Sequence, residues 1–319
     1  MISRNTVLVL GAGASCSYGL PVGSKLRDLI LDIPEDELDK VPNGNGSSII
    51  LPGRGAEFLK AFRRSQYYSI DAFLAMRGEF VEVGKHAIAM TLLPRESPGA
   101  LLDSNVGDHW YRHLLHAMDA PWKEIHKNKL SVVTFNYDRS LELILTSALA
   151  ARYGKTECEA RAVVEKFNIV HVYGSLGSLD RNSSDFVPYG GATNSSEYFF
   201  RAARGLKVIP ESRADSPEFE RAKCLLARAE ALAFLGFGFD RTNVERLGGH
   251  SIGAGGRSRD PDYVGYYPFA ATALGLTRAE IINVSSQITN VQNGNHLIAT
   301  MHDMTCLEVL RHTLILGTD

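Results

Sequence analysis

Val7-Leu8-Val9-Leu10-Gly11-Ala12-Gly13-Ala14-Ser15, followed by Gly19-Leu20-Pro21, decides the fold. A short apolar run ending abruptly in Gly-x-Gly reads as a strand buried on both faces that turns tightly into a helix. Such a turn lets a pyrophosphate approach backbone N–H groups and the positive end of the helix. Gly11, Ala12, Gly13, Ser15, Gly19 and Pro21 are therefore candidate nucleotide-binding residues, with Ser15 read as a phosphate-facing hydroxyl because no GxSxG elbow is present. The spacing departs from GxGxxG: position 16 is Cys, and the next glycine is Gly19. Asp32 falls within a helical pattern rather than at the end of a second strand, which weakens an ordinary dehydrogenase reading.

Working outward, further apolar or β-branched runs occur at 130–135, 168–173, 231–237 and 280–284, each near small or polar residues and separated by long helical patterns. The expected fold is α/β: a Rossmann-like parallel sheet with helices on both faces. About 120 residues lie between the first two runs, far more than one crossover helix needs. The sequence thus predicts a Rossmann-like domain from 1–40 and 128–319, with a helical insertion or cap at 41–127. That insertion opens on the loop-like stretch 41–48 and carries helical patterns at 56–65, 70–92 and 108–127. Two more stretches, 178–196 and 248–256, read as surface loops.

The chain has 319 residues, 45% hydrophobic and 22% charged, with a net charge of −2 at pH 7. These values are those of a globular protein and exclude collagen-like, coiled-coil and wholly disordered classes. The charge gives no field that attracts nucleic acid or an anionic membrane. No apolar stretch approaches the roughly 20 residues of a membrane span, and the opening run is too short for a signal-peptide core, so a cytoplasmic location is expected. The four cysteines, Cys16, Cys158, Cys224 and Cys306, are widely separated and read as reduced thiols rather than a zinc knuckle or disulfide framework.

Three later motifs fall just past apolar runs, at the sheet edge where open α/β folds bind ligands. Thr134-Phe135-Asn136-Tyr137-Asp138 offers an amide and a carboxylate. His171-Val172-Tyr173-Gly174-Ser175 and Leu235-Gly236-Phe237-Gly238-Phe239-Asp240, with Asn243, add an imidazole, a phenol, glycines and a second amide. His109, His113 and His116 are spaced for one helical face; without a nearby carboxylate or cysteine they read as a polar face, and no metal site is expected. Ser69 before Ile70-Asp71-Ala72-Phe73-Leu74 reads as a helix N-cap.

In their order, these motifs resemble the sirtuin-like domain, and more narrowly the prokaryotic sirtuin-like NAD hydrolases of anti-phage defence. The matching positions run from about residue 6 to 245. The four-cysteine zinc module of the deacetylase branch is missing, and Val22-Gly23-Ser24 stands where that branch has Asp-Phe-Arg. The resemblance implies an NAD+ glycohydrolase that releases nicotinamide and ADP-ribose, with NAD+ as substrate and no metal. It also implies a toxic effector held silent by oligomerisation or by a separate sensor or activator subunit. Asn136, Asp138, His171 and Tyr173 are the catalytic candidates it marks; Gly174, Ser175, Gly236, Phe237, Gly238 and Asn243 join the binding set. Tyr173 occupies the position of the family's histidine. Either His171 supplies the base, with alternation along the strand sending it to the face of Tyr173, or Tyr173 contributes its hydroxyl, or the chain cleaves NAD+ weakly or not at all. The alternatives are an NAD- or ADP-ribose-binding regulatory module and, less favoured, an NAD-dependent protein deacylase.

Overall fold

The computed structural model describes residues 1–42, 48–102, 107–191, 196–208, 216–249, 252, 268–288 and 301–317. The loop-like stretches expected at 41–48, 178–196 and 248–256 lie partly outside these residues. In chain order the strands are β1 (Thr6–Leu10), β2 (Lys40–Pro42), β3 (Ser48–Ile50), β4 (Leu130–Thr134), β5 (Asn168–His171), β6 (Ala231–Leu235), β7 (Phe269–Thr272) and β8 (Met301–His302). Strands β2 and β3 form a small antiparallel pair. The other six form one sheet in the order β5-β4-β1-β6-β7-β8, parallel throughout. Leu8 pairs with Val132 on one side and Ala233 on the other.

The expected α/β architecture is present, a Rossmann-like parallel sheet with helices on both faces. Alternation explains it: Val7, Val9, Val133, Leu232 and Phe234 enter one buried cluster, while Leu8, Leu10, Val132, Ala233 and Leu235 enter another on the opposite face. From β1 the chain winds outward through β4 to β5, then crosses back to β6 and winds the other way. The order reverses between β1 and β6, and the crevice outside their carboxyl ends is where such sheets bind ligands.

Between β1 and β4 the chain is mainly helical, but it clothes both faces. Leu26, Ile30, Phe58, Phe62, Phe73 and Ile88 pack on the Val7/Val9 face, whereas Trp110, Leu114 and Leu115 pack on the Leu8/Leu10 face. Trp110 Nε1 donates to the carbonyl of Ala14 at 2.8 Å, tying the later part of this segment to the turn after β1.

One expected strand is corrected. Residues 280–284 lie inside the helix Arg278–Ile288. Val284, Ser285 and Ile288 are buried there and Ile281 packs against the core, a helical i, i+3, i+4, i+7 face, while Ile282 is exposed. The strand itself is β7, Phe-Ala-Ala-Thr, whose alanines gave it no β-branched signature.

Candidate functional site

The turn after β1 and the loop after β6 touch backbone to backbone. Gly11 N–H donates to the Leu235 carbonyl at 3.0 Å, and Gly13 N–H to the Gly236 carbonyl at 2.9 Å. A Cβ on Gly11 would lie 2.5 Å from the Gly236 oxygen, and one on Gly13 2.8 Å from the Gly236 Cα. These two glycines therefore let the switch-point loops close on each other, and their N–H groups, expected at a pyrophosphate, are already engaged. Gly236 N–H is in turn held by Thr272 Oγ1 at 2.7 Å. The β6 loop also carries strain: Gly236 has φ +58° and Phe239, a bulky residue, φ +51°.

Above these loops lies a cleft of about 170 Å³. Gly11, Ala12, Ser15, Pro21, Asn136, Asp138, Phe237, Gly238 and Asn243 all line it, together with Leu26, Asp71, Leu92 and Tyr137. Ends of β1, β4 and β6 are thus brought together as the motifs imply.

Asn136 is fixed by the turn after β1. Its Nδ2 donates to the Gly11 carbonyl at 3.0 Å and to Ser15 Oγ at 3.2 Å. Because the Gly11 oxygen only accepts, the amide must face it with nitrogen. Asn136 Oδ1 then accepts nothing among the described residues and remains available at the cleft wall. The Ser15 hydroxyl donates to Asp138 Oδ2 at 2.9 Å, and Asp138 Oδ1 accepts the Ser140 N–H at 3.1 Å. Ser15 is buried, so the expected phosphate-facing hydroxyl is instead the link between Asn136 and Asp138.

Burial pushes the Asp138 carboxyl above its ordinary range, partly offset by the bonds from Ser140 and Ser15. Asp71, on the helix Ile70–Met76 that Ser69 caps as expected, is also raised by burial, against the bond that Tyr137 Oη donates at 2.6 Å. The cleft therefore holds two carboxyl groups in surroundings that disfavour anions.

On the other wall, Asn243 Oδ1 accepts from Tyr173 Oη at 2.6 Å, and Tyr173 Oη accepts from Arg246 Nη1 at 3.0 Å. Asn243 Nδ2 has no acceptor among the described residues and is left as a donor. Tyr173 is buried against Phe135 and Phe219 and does not line the cleft. Burial pushes its hydroxyl up to about 12, with Arg246 pulling the other way, so it stays protonated and positions Asn243.

His171 corrects a sequence expectation. Strand β5 ends at His171, so alternation does not carry on to Tyr173. Val170, Val172 and Tyr173 enter the core on one face, while Ile169 packs against the core of the other. His171 turns away from the cleft: one ring nitrogen, Nδ1, meets the Asn136 backbone carbonyl at 2.9 Å, and Nε2 meets Glu142 Oε1 at 2.6 Å. It braces Asn136 from behind. Burial lowers the imidazole's pKa, but Glu142, with the Asn136 carbonyl, more than reverses this and raises it above 6.5.

A raised pKa in the fold means that the stabilisation is complete below the unfolded value and is lost as pH rises through the folded one. Glu142 is lowered against its burial by His171, so its share is lost only on acidification below about 4.5. The difference in melting temperature between wild type and His171→Gln is therefore expected to be largest near pH 6 and to shrink toward about pH 9, as thermal melts across that range will show.

The remaining candidates lie elsewhere. Gly19 closes the turn after β1 with φ +89°, Gly174 bridges to Leu206, and Ser175 lines a different cavity. Gly13 and Gly236 sit beneath the cleft without lining it. His109 precedes the helix Trp110–Ala117 and meets Tyr18 Oη at 3.3 Å, while His116 is exposed. Asp71 and Tyr137 were not assigned to the site from sequence; the capped Ser69 stretch and the residue between Asn136 and Asp138 were their only local signals. No protein-family model matches the chain, and no curated protein matches it either.

Proposed function

We propose that this cleft binds NAD+ and hydrolyses its bond to nicotinamide. The observation that carries the reading is the hydrogen-bonded set Gly11, Asn136, Ser15 and Asp138 at the switch point, which leaves the Asn136 amide oxygen unused. Gly11 and Ala12 line the cleft at the end of β1, and the free Asn243 Nδ2 suits a ribose or phosphate oxygen. The resemblance of the ordered motifs to sirtuin-like NAD hydrolases supports the same assignment.

In the reaction the C–N bond between ribose and nicotinamide breaks, and its electron pair moves to the pyridinium nitrogen. The leaving group departs neutral and needs no general acid. Water adds to the oxocarbenium carbon, and its proton passes to solvent. Asn136 Oδ1 accepts from a ribose hydroxyl or from that water, holding it on the open face. Asp138, when ionised, offsets the positive charge of the ribose at the transition state. An oxocarbenium ion is electrophilic enough that a strong base is not required, which fits a cleft with no imidazole among its described lining residues.

Incubating the full chain with NAD+, alone and with proteins encoded beside it, and following nicotinamide is the test. Asn136→Ala is expected to reduce release about 100-fold or more while the protein still melts cooperatively. Absence of release under every condition from folded protein removes the hydrolase reading. The placement of His171 behind Asn136 favours one alternative, a nucleotide-binding module without turnover, which tight ADP-ribose binding with no nicotinamide would identify. Under the hydrolase reading the chain is a defence effector in the cytoplasm, kept silent by self-association or by a separate sensor or activator subunit.

A further inference from the structure

The cleft at the switch point carries ionisable groups of one sign. Asp71 and Asp138 contribute carboxyls to its lining, and none of the other described lining residues is a lysine, arginine or histidine. Among the described residues neither carboxyl forms a salt bridge: Tyr137 Oη holds Asp71 at 2.6 Å, and Ser15 and Ser140 hold Asp138. Burial raises the Asp71 carboxyl, and Asp240, whose carboxylate caps the helix Arg241–Arg246, raises it further. Arg246 is turned instead to Tyr173 Oη, which does not line the cleft.

The backbone donors at the same place are already used. Gly11 and Gly13 N–H groups donate to the Leu235 and Gly236 carbonyls, and Ala14 N–H donates to the Gly11 carbonyl at 2.9 Å. Anion sites are built from free N–H groups and cations, so a pyrophosphate on this turn meets spent donors beside a carboxyl-bearing wall. A cation bearing hydroxyl groups meets the reverse. Two carboxyls balance its charge, Asn136 Oδ1 accepts a hydroxyl, and Leu20, Leu26, Leu92 and Phe237 give a flat ring apolar walls. Buried carboxyls that disfavour ionisation alone regain it when an opposite charge enters beside them.

We infer that the cleft recognises the cationic N-riboside half of its substrate by charge, with Asp71 as the selecting residue, and leaves the pyrophosphate outside. The substrate class is then the N-ribosides of cationic bases, with or without a phosphate. This rests on the reading that the cleft cleaves NAD+. With nicotinamide riboside the balance is unchanged. The ribose–nitrogen bond breaks with its electron pair passing to the ring nitrogen, the oxygen of water bonds to the ribose carbon, and the proton leaves to solvent. Nicotinamide and ribose are the products, and the step draws nothing from the nucleotide half.

The full chain is titrated by calorimetry with the carbocyclic analogue of nicotinamide riboside, whose ring oxygen is replaced by a methylene so that it is not cleaved. The dihydro form of the analogue keeps the hydroxyls and carboxamide but loses the charge. The cation is expected to bind saturably and about 10-fold or more tighter than the dihydro form, a comparison that needs no variant. Asp71→Asn keeps an acceptor for Tyr137 and is expected to bring the two affinities within about 3-fold of each other, with a melting curve confirming the fold. Inorganic pyrophosphate is expected not to compete. Nicotinamide release is followed in parallel from nicotinamide riboside and from NAD+. Equal binding of the dihydro form, an unchanged affinity ratio in folded Asp71→Asn, or competition by pyrophosphate would overturn the inference. Cleavage of NAD+ without release from the riboside would overturn it too, and leaves the hydrolase reading standing. Charge-selective binding with no release from either substrate removes the hydrolase reading and leaves the recognition in place.

Discussion

Replacing Glu96 by alanine is expected to destabilise the protein by about 3–5 kcal/mol, because it strands a guanidinium in the interior. Arg139 is 2% exposed and Glu96 1%. The two form a bidentate pair, with Arg139 Nη2 on Glu96 Oε2 and Arg139 Nε on Glu96 Oε1 at 3.2 Å, and Glu96 Oε1 also accepts the Arg139 backbone N–H at 2.9 Å. Arg139 continues to the carbonyls of Val187, at 2.5 Å, and Pro188, at 3.2 Å. One ion pair therefore clamps together the segment ending at Glu96, the residue after Asp138, and the loop near Tyr189. Removing the carboxylate leaves the charge with carbonyl partners alone, and a fall in melting temperature of roughly 5–10 °C is expected. The pair itself is worth less than its breakage costs, since both ions had to leave water. The double variant Glu96→Leu/Arg139→Met is thus expected to recover part of the loss. A Glu96→Ala melting point within about 1 °C of wild type would contradict the clamp.

Gly236→Ala is expected to be comparably severe, at about 3 kcal/mol or more, and, under the proposed function, to abolish nucleotide binding. Two independent obstacles coincide at this position. Its φ of +58° disfavours any residue with a Cβ. The added methyl would also overlap the backbone nitrogen of Ala14 and the backbone of Gly13, which have no side-chain freedom with which to yield. The strands have to separate at the switch point, and Asn136 would then lose its anchor on the Gly11 carbonyl. Gly238→Ala serves as the control for stability: its Cβ meets nothing within 4 Å and its φ is not in the left-handed region. Thermal melts of the two variants separate the expected outcomes; equal melting temperatures would remove the argument from close approach.

Much of this architecture was legible because it is local. Residues 7–10 and Ala231–Leu235 are apolar at every position, which only a strand covered on both faces requires, and the glycines that follow mark the crossing to a helix. Asn136 and Asp138 were legible for the same reason, being polar residues placed immediately beyond such a strand. Period alone failed at 280–284, where Ile281, Ile282 and Val284 read as β-branched in a five-residue window although Ile281 and Val284 belong to one helical face. It failed again at His171, because the end of a strand is fixed by where its ladder stops, and no residue in Val172-Tyr173-Gly174 announces that.

The sequence by itself determined the parallel sheet and the residue types that follow its strands, since burial and turn chemistry act over a few neighbouring positions. Only the tertiary structure decided which way those side chains face. Asn136 turns its nitrogen to Gly11, Ser15 links it to Asp138, His171 goes to Glu142 and Tyr173 to Asn243. Each of these choices is a hydrogen bond between groups distant in the chain, and such bonds exist only once packing has brought donor and acceptor within 3 Å or so of each other.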